Sequence, residues 1–156
     1  MSAAAPTAAD VWERVAQVLD PELPMVSITD LGIVREVAVA DGVVEVRITP
    51  TYSGCPAMEA IRDDIVAALG RDTVVTTVLS PPWTTDWITA DGLEALAAAG
   101  IAPPGPARTV SLDLAVRCPQ CGSLETRELS RFSSTACKSL RVCTACREPF
   151  DQVKAL

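Results

Sequence analysis

The sequence predicts a small α/β (α+β) sandwich followed by a separate cysteine-rich β domain. Over residues 9–102, helical and alternating apolar patterns follow one another in the order α-β-β-α-β, and one more short helix comes after them. Two Cys-x-x-Cys motifs stand near the C-terminus, and a proline-rich stretch, residues 101–106, precedes them. The second region is too short to be stable on apolar burial alone, so it needs another source of stability.

The first elements are a helix and a hairpin. Apolar residues recur at helical spacing over residues 11–19, and the helix is expected to stop before Pro21. A strand is predicted around residues 34–39, and Asp41-Gly42 is a two-residue hairpin turn. Its return strand alternates apolar and polar side chains over residues 44–49, which is typical of a strand with one buried face.

A second helix follows the turn residues Gly54-Cys55-Pro56. Its apolar positions lie within residues 58–69, and Gly70 is expected to end it. Residues 74–79 predict a strand.

The rest of the chain predicts a short helix and a β domain. Asp91 is expected to cap the helix over residues 93–99. Three strands are predicted further on, at residues 110–116, 124–132 and 139–142. The predicted organisation has four segments: a disordered leader 1–8, an α+β domain 9–102, a Pro/Gly linker 103–109 and a four-cysteine β domain 110–156.

Charge is unevenly distributed along the chain. Residues 1–107 carry 5 Lys+Arg against 15 Asp+Glu, a net charge of −10, whereas residues 108–156 carry 8 against 5, a net charge of +3. An acidic body argues against nucleic-acid binding, while the basic tail suits an acidic protein partner or plain solvated surface. No apolar stretch is long enough to span a membrane and no secretory signal is visible, so a cytoplasmic location without a membrane partner is expected.

The two Cys-x-x-Cys motifs form the candidate metal site, made of Cys118, Cys121, Cys143 and Cys146. The chain has no histidine, so a metal here would be held by sulfur alone. Tetrahedral zinc is the first interpretation, with iron or an iron–sulfur cluster as alternatives. Gly122 is expected to adopt a positive φ where the backbone curls round the metal. Two disulfides or four free thiols are the alternatives to metal binding, and a reducing compartment disfavours the disulfides.

Cys55 is a candidate reactive thiol or transient ligand of iron or a cluster. Because Pro56 favours the first helical position, Cys55 is expected at the N-cap, where backbone N–H groups and the helix dipole would lower its pKa. Asp20 and Glu22 are auxiliary candidates whose carboxylates could complete a weak site for iron or zinc. The alternatives are a small buried thiol and two turn or solvent carboxylates. Without histidine a Cys–His catalytic pair is excluded, and no catalytic residue is assigned.

Three further residues have two interpretations each. Cys137 is either an auxiliary sulfur near the metal or a core thiol of the β domain. Trp83 and Trp87 are either exposed contacts for a partner protein or part of the core.

Several motifs together carry a family resemblance. Asp20-Pro21-Glu22-Leu23-Pro24, Asp30-Leu31-Gly32-Ile33-Val34 and Gly54-Cys55-Pro56 resemble the metal–sulfur cluster assembly domain of the SufT and MIP-type proteins. Further motifs narrow the resemblance to the PaaD family, the accessory D component of the phenylacetyl-CoA epoxidase system. These are Pro81-Pro82-Trp83-Thr84-Thr85-Asp86-Trp87, Ser134-Thr135-Ala136-Cys137-Lys138 and Cys146-Arg147-Glu148-Pro149-Phe150-Asp151.

The resemblance implies a zinc-ribbon-like C-terminal domain and an accessory role in phenylacetate degradation. Cys55 would be the assembly-domain cysteine, and the four paired cysteines would be the zinc ligands. The implied partners are the oxygenase and reductase subunits of the epoxidase, whose iron or iron–sulfur centres the protein would help to assemble. A homodimer is also implied, because proteins of this kind often pair.

Two other functions remain open from the residues. A zinc-stabilised scaffold would hold the oxygenase components together without transferring metal, and Cys55 would then be dispensable. A redox enzyme would cycle a Cys-x-x-Cys pair between dithiol and disulfide, which a bound structural metal would prevent. The chain by itself is expected not to be an enzyme.

Overall fold

A computed structural model describes residues 5–105 and 115–155. The chain forms two compact units that divide between Trp83 and Thr84. The first unit contains α1 (Ala8–Val15), β1 (Val34–Ala40), β2 (Val43–Ile48), α2 (Ala57–Leu69) and β3 (Val74–Thr77). The second contains a 3-10 turn (Thr85–Trp87), α3 (Ala90–Ala98), β4 (Thr126–Ser130), β5 (Lys138–Cys143) and β6 (Pro149–Val153). The predicted α+β class is confirmed, with three α-helices and two three-stranded sheets in the described residues.

The first unit is a three-stranded sheet with β2 in the centre. β1 and β2 are antiparallel, whereas β2 and β3 are parallel because α2 forms the crossover between them. Asp41 and Gly42 both have positive φ, 51° and 79°, as the predicted two-residue hairpin requires. The buried side chains of α2, Ile61 and Ile65, join those of β2 in the core of this unit.

Helix α1 is shorter than predicted at its C-terminal end. It begins after Thr7, whose side chain forms a capping box with Asp10, and it ends at Val15. The expected continuation to residue 19 is wrong because that segment pairs with a later one: Asp20 N donates to Val26 O at 3.0 Å, and Leu19 bridges Ser27. Of the predicted leader, residues 1–4 lie outside the described residues.

The second unit joins α3 to the C-terminal sheet. Thr89, not the predicted Asp91, caps α3, because its Oγ1 accepts from Gly92 N at 3.1 Å. After α3, Ala102 pairs with the β6 backbone: Ala102 N donates to Asp151 O at 2.8 Å, and Val153 N donates to Ala102 O at 3.0 Å. Residue 102 is thus tied by two hydrogen bonds to the last strand.

The C-terminal sheet has the order β4-β5-β6, with both neighbouring pairs antiparallel. β4 and β5 agree with the strands predicted at residues 124–132 and 139–142, while β6 was not predicted. Of the strand predicted at 110–116, residues 110–114 lie outside the described residues, and residues 115 and 116 have no strand structure. The boundary placed at residue 102 and the linker 103–109 stay predictions.

Candidate metal centre

Four cysteine sulfurs converge at one end of the C-terminal sheet. The Sγ atoms of Cys118, Cys121, Cys143 and Cys146 all lie within 4.8 Å of one another. The Sγ–Sγ distance is 3.7 Å between Cys118 and Cys146 and 3.6 Å between Cys121 and Cys143. These distances are far beyond the S–S bond of a disulfide, about 2.05 Å.

The same distances fit a tetrahedral ion. A zinc–sulfur bond of about 2.3 Å places two ligands of a tetrahedron about 3.8 Å apart, close to both of these separations. With only thiolates as donors, the site suits zinc. Such an ion would link the turn that carries Cys118 and Cys121 to the C-terminal end of β5 and the turn that follows it.

Two turns of matching geometry present the cysteines. In the first turn, Cys118 N donates to Ser123 O at 2.9 Å, and in the second, Cys143 N donates to Glu148 O at 3.0 Å, the same five-residue step. Gly122 has the predicted positive φ, 75°, and Arg147 occupies the equivalent position after Cys146 with a φ of 65°. The backbone in each turn therefore passes through the left-handed region directly after its second cysteine.

The electrostatics of the four thiols favour a cation among them. The backbone N–H of Cys146 contributes most to lowering the pKa of Cys143 to about 7. For Cys146, the backbone N–H of Glu148 acts downward, but burial and three neighbouring sulfurs outweigh it and raise the pKa to about 12. If all four sulfurs were ionised at these distances, their negative charges would repel one another strongly. A divalent cation bound among them offsets this repulsion.

A tight turn holds Cys55 in front of α2. Cys55 N donates to Tyr52 O at 3.2 Å, and Gly54 at the third position of this turn has a φ of 77°. The prediction that Cys55 is the N-cap of α2 is wrong, since Pro56 is the N-cap and Ala57 begins the helix. Cys55 lies one residue before the cap, where its half-buried side chain belongs to the turn.

The Cys55 thiol has a raised pKa, opposite to the prediction. Burial is the largest cause, and the negative charge of Glu22 adds to it. Hydrogen bonds from Ala57 N–H and from the hydroxyl side chains of Thr51 and Tyr52 act in the opposite direction without cancelling the rise. The sulfur is therefore a neutral thiol at neutral pH, surrounded by donors that would stabilise it once a metal displaced its proton.

The two auxiliary carboxylates have different surroundings. Asp20 is buried, and its Oδ1 accepts from the backbone N–H groups of Glu22 and Leu23, both at 2.8 Å. This Asp20 cap shapes the proline-bounded loop. Glu22 is partly buried and close enough to Cys55 for its charge to act on the thiol.

Comparison with known proteins identifies the family. The model of the PaaD zinc beta ribbon domain matches residues 102–154, and that of the iron-sulfur cluster assembly protein family matches residues 8–79. The putative D component of the 1,2-phenylacetyl-CoA epoxidase of Escherichia coli is 45% identical over 159 aligned residues, which cover 98% of this chain and 96% of that protein. The chain belongs to the PaaD family.

Shorter relatives match about half of this chain. The Fe-S protein maturation auxiliary factor YitW of Bacillus subtilis is 42% identical over 49% of this chain and 80% of its own length. A crystal structure of a domain of unknown function, DUF59, from Bacillus anthracis is 27% identical, with a TM-score of 0.54 over 57% of this chain and 90% of that one. This member of the PaaD family thus joins an α+β domain to a zinc ribbon domain.

Cys137 lies outside the four-sulfur group of this PaaD family member, as far as the described residues show. Its Sγ is 3.1 Å from Thr135 Oγ1, and its carbonyl accepts from Lys154 N at 2.9 Å. It is half-buried in the loop between β4 and β5. A role for it as an auxiliary ligand stays a prediction.

The two tryptophans differ in exposure. Trp83 is only 8% exposed, and its Nε1 donates to Leu31 O at 2.8 Å, so it packs in the core of the first unit. Trp87 is half-buried in the 3-10 turn of the second unit. The packing interpretation therefore applies to Trp83.

Among the described residues, no helix is long and apolar enough to cross a membrane.

The sequence predicted no role for Thr51, Tyr52 or Arg141, and Lys138 entered only as the residue next to Cys137. The first two stand in the Cys55 loop, where their hydroxyls are the only chemical signal that a sequence offers. The two basic residues lie on β5 and are both buried, which composition alone does not reveal.

Proposed function

We propose that this protein is an accessory component of a phenylacetyl-CoA epoxidase that assists assembly of iron or iron–sulfur centres in the oxygenase or reductase components. In this function, Cys118, Cys121, Cys143 and Cys146 hold a structural zinc. Cys55 is the sulfur that takes up iron or a cluster transiently, as a substrate to be passed on. The protein performs no oxygenation itself.

One observation carries the proposal: Cys55 is not one of the four grouped sulfurs, and it lies on a glycine turn in the part of the chain that matches the iron-sulfur cluster assembly family. The full-length similarity to the D component of the epoxidase supports the choice of client. Each half of the chain thereby has its own sulfur chemistry.

The raised pKa of Cys55 suits transient binding. A metal must displace a proton that this sulfur holds firmly, which weakens the net affinity at neutral pH and favours release. Glu22 adds a carboxylate beside the thiol, and a mixed carboxylate and thiolate pair suits iron. The hydroxyls of Thr51 and Tyr52 would stabilise the thiolate during the bound interval.

The test is co-expression of the epoxidase subunits with this chain carrying Cys55→Ala. The iron and acid-labile sulfide contents of the purified oxygenase and reductase are expected to fall, while zinc in the variant stays at about one per chain. Cys137→Ala is the matched control, because it removes another half-buried thiol outside the quartet. Full iron loading of both clients by Cys55→Ala would refute the assembly function.

A zinc-stabilised scaffold is the second candidate function. It is favoured by exposed apolar side chains on the ribbon unit, with Leu129 47% and Phe132 64% exposed. For a scaffold, Leu129→Ser with Phe132→Ser would abolish co-purification with the epoxidase subunits, and Cys55→Ala would change neither co-purification nor metal content. Loss of client metal without loss of co-purification in Cys55→Ala decides for assembly.

A further inference from the structure

Hydrogen bonds connect the first cysteine turn to the second through residues that are not among the four cysteines. Ser123 closes the first turn, since its carbonyl accepts from Cys118 N at 2.9 Å. Ser123 Oγ also accepts from Glu125 N at 3.0 Å. Glu125 O in turn accepts twice from Thr144, from the backbone N at 2.8 Å and from Oγ1 at 2.9 Å. A continuous series of hydrogen bonds therefore runs from one ligand-bearing turn to the other.

Thr144 stands between Cys143 and Cys146 in the second turn. Its backbone N–H continues the ladder of β4 and β5 by one step beyond the register pair of Thr126 and Cys143. A carbonyl oxygen has two lone pairs, so Glu125 O can accept from the hydroxyl as well as from the N–H. The hydroxyl therefore adds a second link to a contact that the backbone alone would make once.

The first turn cannot supply the equivalent contact. Pro119 follows Cys118 at the position where Thr144 follows Cys143. Proline has neither a backbone N–H nor a hydroxyl, so it can donate no hydrogen bond. Of the two residues at this position, Thr144 is therefore the one that can connect the turns.

We propose that Thr144 is a positioning residue for metal retention, whose hydroxyl holds the second cysteine turn in place against the first. Each turn supplies two of the four grouped sulfurs, so a shift of one turn relative to the other would separate them. Groups outside a ligand set commonly fix the ligands in this way. This inference rests on the proposed zinc site and concerns residues that are not its ligands.

The test measures the rate at which the zinc-loaded full chain releases zinc to an excess of a chromogenic chelator. Thr144→Val keeps the shape of the side chain and the backbone N–H but removes the hydroxyl. The release rate is expected to rise by about 3- to 10-fold, the scale of one intramolecular hydrogen bond. Thr144→Ser keeps the hydroxyl and is expected to stay close to the wild type, a rescue that a role in side-chain packing would not produce.

Ser123→Ala tests the middle of the same series. It removes the Oγ that accepts from Glu125 N, so a smaller rise in the release rate is expected. If the series acts as a unit, Ser123→Ala combined with Thr144→Val should release zinc more slowly than the product of the two single effects predicts. Single effects that simply multiply would overturn the connection between the turns.

Ser130→Ala is the matched control. Ser130 Oγ likewise accepts from a backbone N–H two residues on, that of Phe132 at 3.2 Å, but at the opposite end of β4 from the turns. This variant is expected to release zinc like the wild type. A rise equal to that of Thr144→Val, in either Ser130→Ala or Thr144→Ser, would overturn the inference.

The outcomes separate this inference from the zinc site itself. A wild-type chain that binds no zinc would overturn the proposed site together with the role of Thr144. One zinc per chain with unchanged release by Thr144→Val would overturn only the role of Thr144. If Thr144→Val does not fold, the comparison of Ser123→Ala with Ser130→Ala decides, and equal release rates in those two variants would contradict the inference.

Discussion

Cys55 has a raised pKa although three hydrogen-bond donors lie close to its sulfur. Burial and the charge of Glu22 favour the protonated sulfur, while Ala57 N–H and two hydroxyl side chains favour the ionised one. Without a metal, these effects keep the sulfur protonated and unreactive. When a cation binds, the same donors stabilise the thiolate. A permanently ionised cysteine would instead react with oxidants and retain metal too firmly for transfer.

The first prediction concerns the titration of this thiol. Alkylation of Cys55 by iodoacetamide, followed by mass spectrometry of its peptide, is expected to reach its half-maximal rate at a pH above that of an ordinary cysteine. Glu22→Gln removes the carboxylate charge that raises the pKa, so the midpoint is expected to move to lower pH. Glu59→Gln, on the exposed first turn of α2, is the control for a general change of charge. An unchanged midpoint in Glu22→Gln would contradict the proximity of the two groups.

The second prediction concerns Trp83, whose indole N–H satisfies a backbone carbonyl inside the first unit. Trp83→Phe keeps an aromatic ring but leaves Leu31 O without its donor at 2.8 Å. The free energy of unfolding is expected to fall by about 1–3 kcal/mol, measured by urea denaturation. Trp12→Phe is the matched control, since Trp12 is 41% exposed on α1 and should change stability little. Equal losses in both variants would indicate that the buried hydrogen bond contributes nothing.

Among the elements, the two cysteine turns are alike in backbone geometry although their sequences differ. One uses glycine at the left-handed position and the other uses arginine, with φ values of 75° and 65°. Only glycine adopts this region without steric cost. The backbone of the second turn is therefore strained at Arg147, and metal binding by Cys143 and Cys146 has to offset that strain.

The third prediction follows from that difference. Gly122→Ala is expected to destabilise the metal-bound ribbon by about 1–2 kcal/mol, because an alanine Cβ is unfavourable at positive φ. Gly105→Ala is the control, since that glycine has no positive φ and, among the described residues, no atom lies within 4 Å of where its Cβ would be. Thermal unfolding followed at the metal–thiolate absorbance of a cobalt-substituted sample measures both. A larger effect at Gly105 would contradict the assignment of the turn.

Local patterns predicted the elements whose information is local. The hairpin at Asp41-Gly42, the end of α2 at Gly70 and the pairing of two Cys-x-x-Cys motifs all depend on neighbours in sequence, and the structure has them as expected. The predicted C-terminal end of α1 was wrong because residues 18–20 pair with residues 26–28, and helical periodicity cannot reveal such a contact. β6 was missed because its short sequence is a strand only beside β5.

The candidate site divides in the same way. Spacing and residue type were enough to predict the four-cysteine group. Two Cys-x-x-Cys motifs indicate a metal site, and a chain without histidine leaves only sulfur ligands for it. The state of Cys55 was not predictable, because its pKa depends on burial and on Glu22, which is distant in sequence. The burial of Arg141 depends likewise on how a whole sheet packs.

At the scale of the whole molecule, the two units differ in what stabilises them. The first buries many large apolar side chains, among them Ile28, Ile48 and Ile65, which are all fully buried. In the described part of the second unit, the apolar cluster around the sheet consists of Ala102, Cys118, Cys143 and Phe150, and its two cysteines are proposed metal ligands. Metal removal should therefore act on one unit and spare the other.

The fourth prediction is that chelation of zinc unfolds the C-terminal unit alone. Hydrogen exchange of the chelated full chain is expected to show loss of protection in β4, β5 and β6, while α2 and β2 keep theirs. Cys118→Ser should reproduce this pattern without chelator, since three sulfurs hold zinc poorly. Loss of protection throughout both units would show that they do not fold independently.

Helix α3 decides where the boundary between the two folding units lies. Sequence composition placed it before residue 103, which would leave α3 protected after chelation. The hydrogen bonds that join Ala102 to Asp151 and Val153 couple the end of the α3 segment to β6, and Ile101 N also donates to Leu96 O at 3.0 Å inside that segment. Because unfolding of β6 removes these partners, we expect α3 to lose protection together with the ribbon and at the same chelator concentration. Protection of α3 that survives metal removal would instead place it in the N-terminal folding unit.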